Sequence, residues 1–140
     1  RIRLLALPPG APLTKKYQNG SFKKLSEVET ARELMFFLES LDSITSTVKS
    51  DHILNLLHEI DGVFPENHNA FIQAIERFLH LSPVNQMLFI FGRRSGRIKF
   101  LDDINDPTLR ESCQLGCKRL GITPDNIEAF AERIARRYLK

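Results

Sequence analysis

Ser50, Asp51, His52 and Asn55 form the densest group of chemically capable side chains in the sequence. A β-branched run, Thr45 to Lys49, leads directly into them. That change of character predicts a strand that delivers the polar group to its C-terminal end, where α/β architectures assemble their sites. One helical turn separates His52 from Asn55, so the two would share a side. A histidine there could exchange a hydrogen bond or a proton near neutral pH. Asp51 and His52 are neighbours, and adjacent strand side chains point to opposite faces, so they are not a catalytic dyad by position. The same residues also read as a solvated strand-to-helix turn with Ser50 or Asp51 as N-cap.

Other candidate residues are less concentrated. Cys113 and Cys117 lie four apart in a predicted helix and could face one metal ion together. Two thiolates are an incomplete set for zinc or an iron–sulfur cluster, and Leu120 stands where C-x-x-x-C would extend to C-x-x-x-C-x-x-C. Both read as small buried residues, and no metal ligand is assigned. His58, His68 and His80 read as surface residues of helices or loops. Arg93-Arg94-Ser95-Gly96-Arg97 could grip a phosphate or carboxylate, or form a solvated helix end that complements the helix dipole. No Gly-rich phosphate loop, nucleophile elbow or zinc-hydrolase motif occurs.

The elements that must position these residues follow from patterning. Ile2 to Leu7 is nearly all apolar and predicts a short buried strand of a parallel sheet, ended by Pro8-Pro9-Gly10-Ala11-Pro12. Asn19-Gly20 marks a turn. Ser26 and Glu29 have capping-box spacing, and Ala31, Leu34, Met35, Leu38 and Leu41 recur at helical intervals, with Phe36 and Phe37 widening the stripe. A second strand around Thr45 to Lys49 would complete a βαβ unit with parallel strands. His52 to His58 reads as a helical turn or short helix, and Asp61 to Pro65 as a turn or loop. Helices are predicted from about Glu66 to Leu79, from Ser82-Pro83 to about Phe91, from Asp106-Pro107 to Gly121, and from Thr123-Pro124 onward. The last of these carries Ile127, Phe130, Ala131, Ile134 and Leu139.

With 140 residues, 42% of them hydrophobic and 26% charged, the chain fits about one globular domain able to bury a core without disulfides. No apolar run reaches membrane-spanning length. Two cysteines and no secretory leader fit a cytoplasmic protein. Because the first residue is Arg1, the chain is expected to begin inside a longer protein or to have been processed. The net charge is uneven: residues 1–92 hold 9 Lys+Arg against 10 Asp+Glu, and residues 93–140 hold 11 against 7. The basic C-terminal third could serve a nucleic-acid surface, but its charges alternate with acids and lack an aromatic–basic motif, which favours a solvated helical face.

In order along the chain, several stretches resemble the C-terminal part of radical SAM (S-adenosyl-L-methionine) enzymes. Leu4 to Leu13, with Pro9-Gly10-Ala11-Pro12-Leu13, resembles the late barrel strand and its G-T-P-L turn, although Ala11 stands in place of the threonine. Gly20 to Ser26, with Glu29 and Glu33-Leu34, is similar to the segment before the next helix. Ser50-Asp51-His52 with Asn55, then Gly62 and Pro65, resembles the S-[ND]-H-x-x-N and G-x-x-P pattern. Gly92-Arg93-Arg94 and Leu101 to Pro107 resemble the end of several such proteins.

The resemblance implies an α/β fold: a partial parallel sheet, the closing section of a radical-SAM-type barrel over residues 1–64, followed by a helical C-terminal extension over residues 65–140. It implies Ser50, Asp51, His52, Asn55, Pro9 and Gly10 as cofactor- or substrate-binding residues at the barrel mouth. The parent enzyme would bind SAM and a metal-bound [4Fe-4S] iron–sulfur cluster, neither held by this segment, which would be inactive alone. Expected partners are the N-terminal barrel portion of the same protein and, for the segment alone, a second copy. The rival expectation is a helical interaction module that binds nucleic acid or protein through the basic third.

Overall fold

The computed structural model describes residues 1–139, the side chain of the last of these excepted. Helices dominate it: α1 (Pro12–Gln18), α2 (Glu27–Glu39), α3 (His68–Leu79), α4 (Pro83–Arg94), α5 (Pro107–Leu120) and α6 (Ile127–Ala135). Short 3-10 turns run over Leu101–Asn105 and Arg136–Leu139. The strands are β1 (Thr47–Lys49) and β2 (Asp61–Val63).

Helix boundaries follow their capping chemistry. The Ser26 hydroxyl accepts from Glu29 N–H at 3.1 Å, and the Glu29 carboxylate accepts from Ser26 N–H at 2.8 Å. Ser82 accepts from Asn85 N–H at 3.3 Å ahead of Pro83. Asp106 accepts from the N–H groups of Thr108 and Leu109 at 2.8 and 3.0 Å ahead of Pro107. Each cap satisfies donors that the first helical turn leaves free. The sequence reading had no helix at Pro12–Gln18, where Pro12 takes the N1 position that the fixed proline ring suits.

The expected parallel sheet is absent among the described residues. β1 pairs with β2 antiparallel, with Thr47 opposite Val63 and Lys49 opposite Asp61. A turn of irregular chain, rather than a crossover helix, joins the two strands, and only antiparallel pairing tolerates so short a return. Ile2 to Leu7 is extended but forms no strand: Ile2 N–H donates to Lys49 C=O at 2.9 Å, and the ladder goes no further. The segment is not buried on both faces either, since Leu5 is 46% exposed. The α/β reading with a barrel section over residues 1–64 is therefore corrected to a helical fold with one small hairpin.

Two further expectations change for identifiable reasons. His52 to His58 forms bends and turns, not a helix, and buries Leu54, Leu56 and Leu57 beneath it. Asp61-Gly62 reads as a turn but belongs to β2. Gly62 is needed there for close approach, because a Cβ would stand 2.3 Å from Asn67 Oδ1. That same oxygen accepts from Val63 N–H at 2.8 Å.

One apolar core runs through both expected segments, from Leu38 and Phe64 to Phe91, Cys113 and Phe130. Helix α4 lies at its centre, with Met87 to Gly92 all buried. Phe91 stacks on Phe130 of α6 at 5.1 Å, and Phe78 of α3 meets Phe89 at 5.7 Å. Phe36 and Phe37, expected to widen the buried stripe of α2, are exposed instead.

Candidate functional site

The Ser50–Asn55 turn follows β1 directly and is held from several directions. Asn55 is 2% exposed and donates through Nδ2 to Ile2 C=O at 2.8 Å. Asn55 N–H donates to His52 C=O at 2.8 Å, closing the turn. From the end of α4, Arg93 donates to the carbonyls of Asn55 and Leu56, each at 2.9 Å, and to Ile98 at 3.4 Å. His58 Nε2 donates to His52 C=O at 3.2 Å. Burial, then the nearby Arg93 charge, lowers the His58 pKa, which suits a neutral ring donating to a carbonyl.

This clamping sorts the four residues. Ser50 and Asn55 point into the protein, and both are 2% exposed. Asp51 is exposed, with Arg1 Nη2 3.6 Å away, a surface pair that contributes little. His52 is half-buried, and its Nδ1 accepts from Leu54 N–H at 3.3 Å. That contact leaves the proton of the neutral ring on Nε2. The turn therefore presents Asp51 and His52 outward on a base fixed by Ser50 and Asn55. Pro9 and Gly10 sit apart, in an exposed turn before α1 where Thr14 Oγ1 donates to Pro8 C=O at 2.8 Å.

Beside the turn lies a groove of about 1040 Å³ between the Arg3–Leu7 segment, the start of α2, and α6. Leu54 of the turn lines it, but Pro9 and Gly10 do not. Arg94 and Glu27 form its charged floor. Arg94 Nε donates to Glu27 Oε1 at 2.8 Å, and Nη2 donates to the same oxygen. Both Glu128 carboxylate oxygens accept from Glu27 N–H at 3.0 Å, capping α2 from a helix about a hundred residues away in sequence. Burial pushes the Glu128 carboxyl up from its ordinary value, against the stabilising effect of that N–H. At the far end, Tyr17 donates to Glu132 at 2.9 Å, and Arg136 donates to the same side chain at 2.6 Å.

No protein-family model, curated protein or solved structure matches the chain.

The arrangement can bind but carries no acid–base relay, because Asp51 and His52 are not hydrogen-bonded to each other. Cys113 and Cys117 are the chain's two cysteines, both buried in α5. Burial pushes both thiols up, Cys117 to about 11, opposite to what a thiolate ligand needs. These residues do not fit a [4Fe-4S] cluster, which takes more thiolates than two.

Sequence reasoning missed Glu27 and Glu128. Arg93 and Arg94 read as residues that grip a phosphate or carboxylate, or as a solvated helix end; Arg94 does grip a carboxylate, that of Glu27, whereas Arg93 turns inward to backbone carbonyls. Of the three arginines in that run Arg97 alone is exposed, over the Phe91 ring at 5.0 Å. His68, also read as surface, reaches Leu38 C=O at 2.8 Å. No helix among the described residues is long and apolar enough to cross a membrane.

Proposed function

We propose that this chain is the C-terminal segment of a radical SAM enzyme, inactive alone, that lends the Asp51–His52 edge of the Ser50–Asn55 turn to the SAM or substrate mouth. The observation that carries this reading is the over-determined turn. Asn55 through the Ile2 carbonyl, Arg93 from the end of α4 and His58 from the chain just beyond fix its backbone, while among the described residues outward Asp51 has a loose surface partner in Arg1 and His52 meets the Leu54 N–H. A turn held so firmly from within is preorganised to meet something outside. The motif residues that resemble the family, Ser50, Asp51, His52 and Asn55, are the ones so arranged. Binding energy for the proposed partner, the catalytic portion of the same protein, would come through the Ile2–Leu7 segment, whose apolar Leu5 is exposed. The compartment that accompanies this reading is the cytoplasm.

The rival module binding nucleic acid through the basic third draws less support, because Arg93 and Arg94 are committed internally. The test uses the complete protein. His52→Ala should weaken SAM binding or turnover about 10-fold or more, the loss of one good polar contact, with the unfolding midpoint unchanged. Asn55→Ala should lower both. Normal SAM binding and turnover in His52→Ala would refute the proposal.

A further inference from the structure

A second cavity, of about 20 Å³, lies beneath the turn and is lined by Ser50, Asn55, Glu27, Thr30 and apolar residues including Leu4 and Leu57. Three buried side-chain acceptors have no partner among the described residues: Asn55 Oδ1, Glu27 Oε2 and Glu59 Oε2. Asn55 and Glu27 line this cavity, Glu27 lines the larger groove as well, and Glu59 lines neither. The Asn55 amide orientation is fixed, because Nδ2 must face the Ile2 carbonyl it donates to. Its oxygen is therefore committed to the other side. On Glu27, Arg94 occupies Oε1 and leaves Oε2 free.

An unpaired buried acceptor costs roughly 1–3 kcal/mol, so two around one cavity call for a common donor. The donor must be small, because room of about 20 Å³ only slightly exceeds the ~10–15 Å³ that one water needs. It must also be neutral, because the Arg94 guanidinium already supplies the counter-charge to Glu27. An extra cation would be buried beside that guanidinium at a cost.

We infer that this cavity is a binding site for a single ordered water that donates one hydrogen to Asn55 Oδ1 and the other to Glu27 Oε2. The Ser50 hydroxyl, on the same cavity, can donate to the water oxygen. The water completes a buried hydrogen-bonded chain running Arg94, Glu27, water, Asn55, Ile2. It thereby ties the ends of α2 and α4 to the turn that presents Asp51 and His52. Glu27 and Arg94 become positioning residues for that turn, acting through the water rather than by contact with any ligand. This inference stands on the packing alone and does not depend on the SAM reading.

The direct test is a crystal structure of the 140-residue chain at about 1.5 Å, where ordered waters are visible. The expected result is one density peak within about 2.7–3.2 Å of both Asn55 Oδ1 and Glu27 Oε2. A second arm uses Glu27→Gln, whose amide oxygen takes the Arg94-facing place and whose NH2 turns to the cavity, where it donates to the water oxygen while the water still donates to Asn55 Oδ1, so that the peak stays; Asn55→Leu removes an acceptor and loses it. If Asn55→Leu does not fold, the wild-type and Glu27→Gln structures decide. A dry cavity, a direct Glu27–Asn55 contact, or a peak with the short multi-oxygen contacts of a metal cation would each overturn the inference. None of these results depends on whether the protein binds SAM.

Discussion

Replacing Arg94 by methionine tests the buried polar floor of the groove, and its consequence can be worked out from the structure. The Arg94 side chain is 3% exposed and its partner Glu27 11%, so solvent screens the pair little. Glu128 places a second carboxylate against the Glu27 N–H. Without Arg94, the Glu27 carboxylate and the half-buried Glu128 carboxylate are left close together with no adjacent counter-charge from α4. Breaking a buried pair from one side costs about 3–5 kcal/mol, which for a domain of this size lowers the unfolding midpoint by about 10–20 °C. The Glu27→Leu/Arg94→Met double variant should recover most of that loss, since an apolar replacement leaves no orphaned charge. The sign of the pH dependence is also fixed. Glu128 already has a raised pKa in the folded state, and losing Arg94 raises it further. The folded form then binds more protons than the unfolded form above the ordinary carboxyl range, so the deficit of Arg94→Met shrinks as pH falls from 7 toward 5. Thermal and urea unfolding followed by circular dichroism measure both effects. A cost under about 1 kcal/mol in the single variant, or a double variant no more stable than the single, would refute the reasoning and mean that the groove floor is open to water.

Gly92→Ala should destabilise the chain, because a Cβ there would stand 2.6 Å from Ile98 Cγ1 and 2.8 Å from Cys113 Sγ. Overpacking of about 1–3 kcal/mol outweighs the helix-propensity gain of about 1 kcal/mol, and a raised urea midpoint would contradict this. Glu29 is held down to about 2 by its hydrogen bonds to the Ser26 backbone and hydroxyl and by Lys23. Its contribution is complete above about pH 4.5 and is lost as pH falls toward 2, so Glu29→Gln should flatten the acid limb of the stability profile. An unchanged limb would show that the capping box does not persist in solution. Phe130→Ala should cost about 3–5 kcal/mol, because it removes the stack on Phe91, whereas the exposed Arg137→Ala should stay within about 0.5 kcal/mol. Equal unfolding midpoints for the two would contradict the placement of α6.

What could be read from the sequence was local. Ser26 with Glu29, Ser82-Pro83, Asp106-Pro107 and Gly121 marked helix ends because capping acts within four residues. Helical spacing in the same way marked Ala70, Phe71, Ala74, Ile75 and Phe78 of α3, and Ile127, Phe130 and Ala131 of α6, as core-facing, and all but Ala70, which is exposed, are buried. Pairing was not readable. Ile2 to Leu7 and Thr47 to Lys49 have strand composition, but composition does not say which neighbour a strand chooses, and β1 chose Asp61–Val63. The Asp61-Gly62 turn signature misled because Gly62 answers a packing demand from Asn67, not a turn. The site was half legible. Ser50, Asp51, His52 and Asn55 stood out by residue type, but the inward and outward division among them depends on Ile2 and Arg93. Those residues are distant in sequence, and their partnerships have no periodicity to reveal them. Leu139, expected to pack with Phe130, has its side chain outside the described residues.

The central claim concerns the outward edge of the turn, and SAM affinity in the complete protein tests it most directly. Equilibrium dialysis with labelled SAM, run on wild type and His52→Ala under anaerobic conditions, separates the outcomes, with thermal unfolding as the control. The account predicts measurable SAM binding by wild type, and binding about 10-fold weaker in His52→Ala at an unchanged unfolding midpoint. No SAM binding by the wild-type protein, or equal affinity in the two, would contradict it.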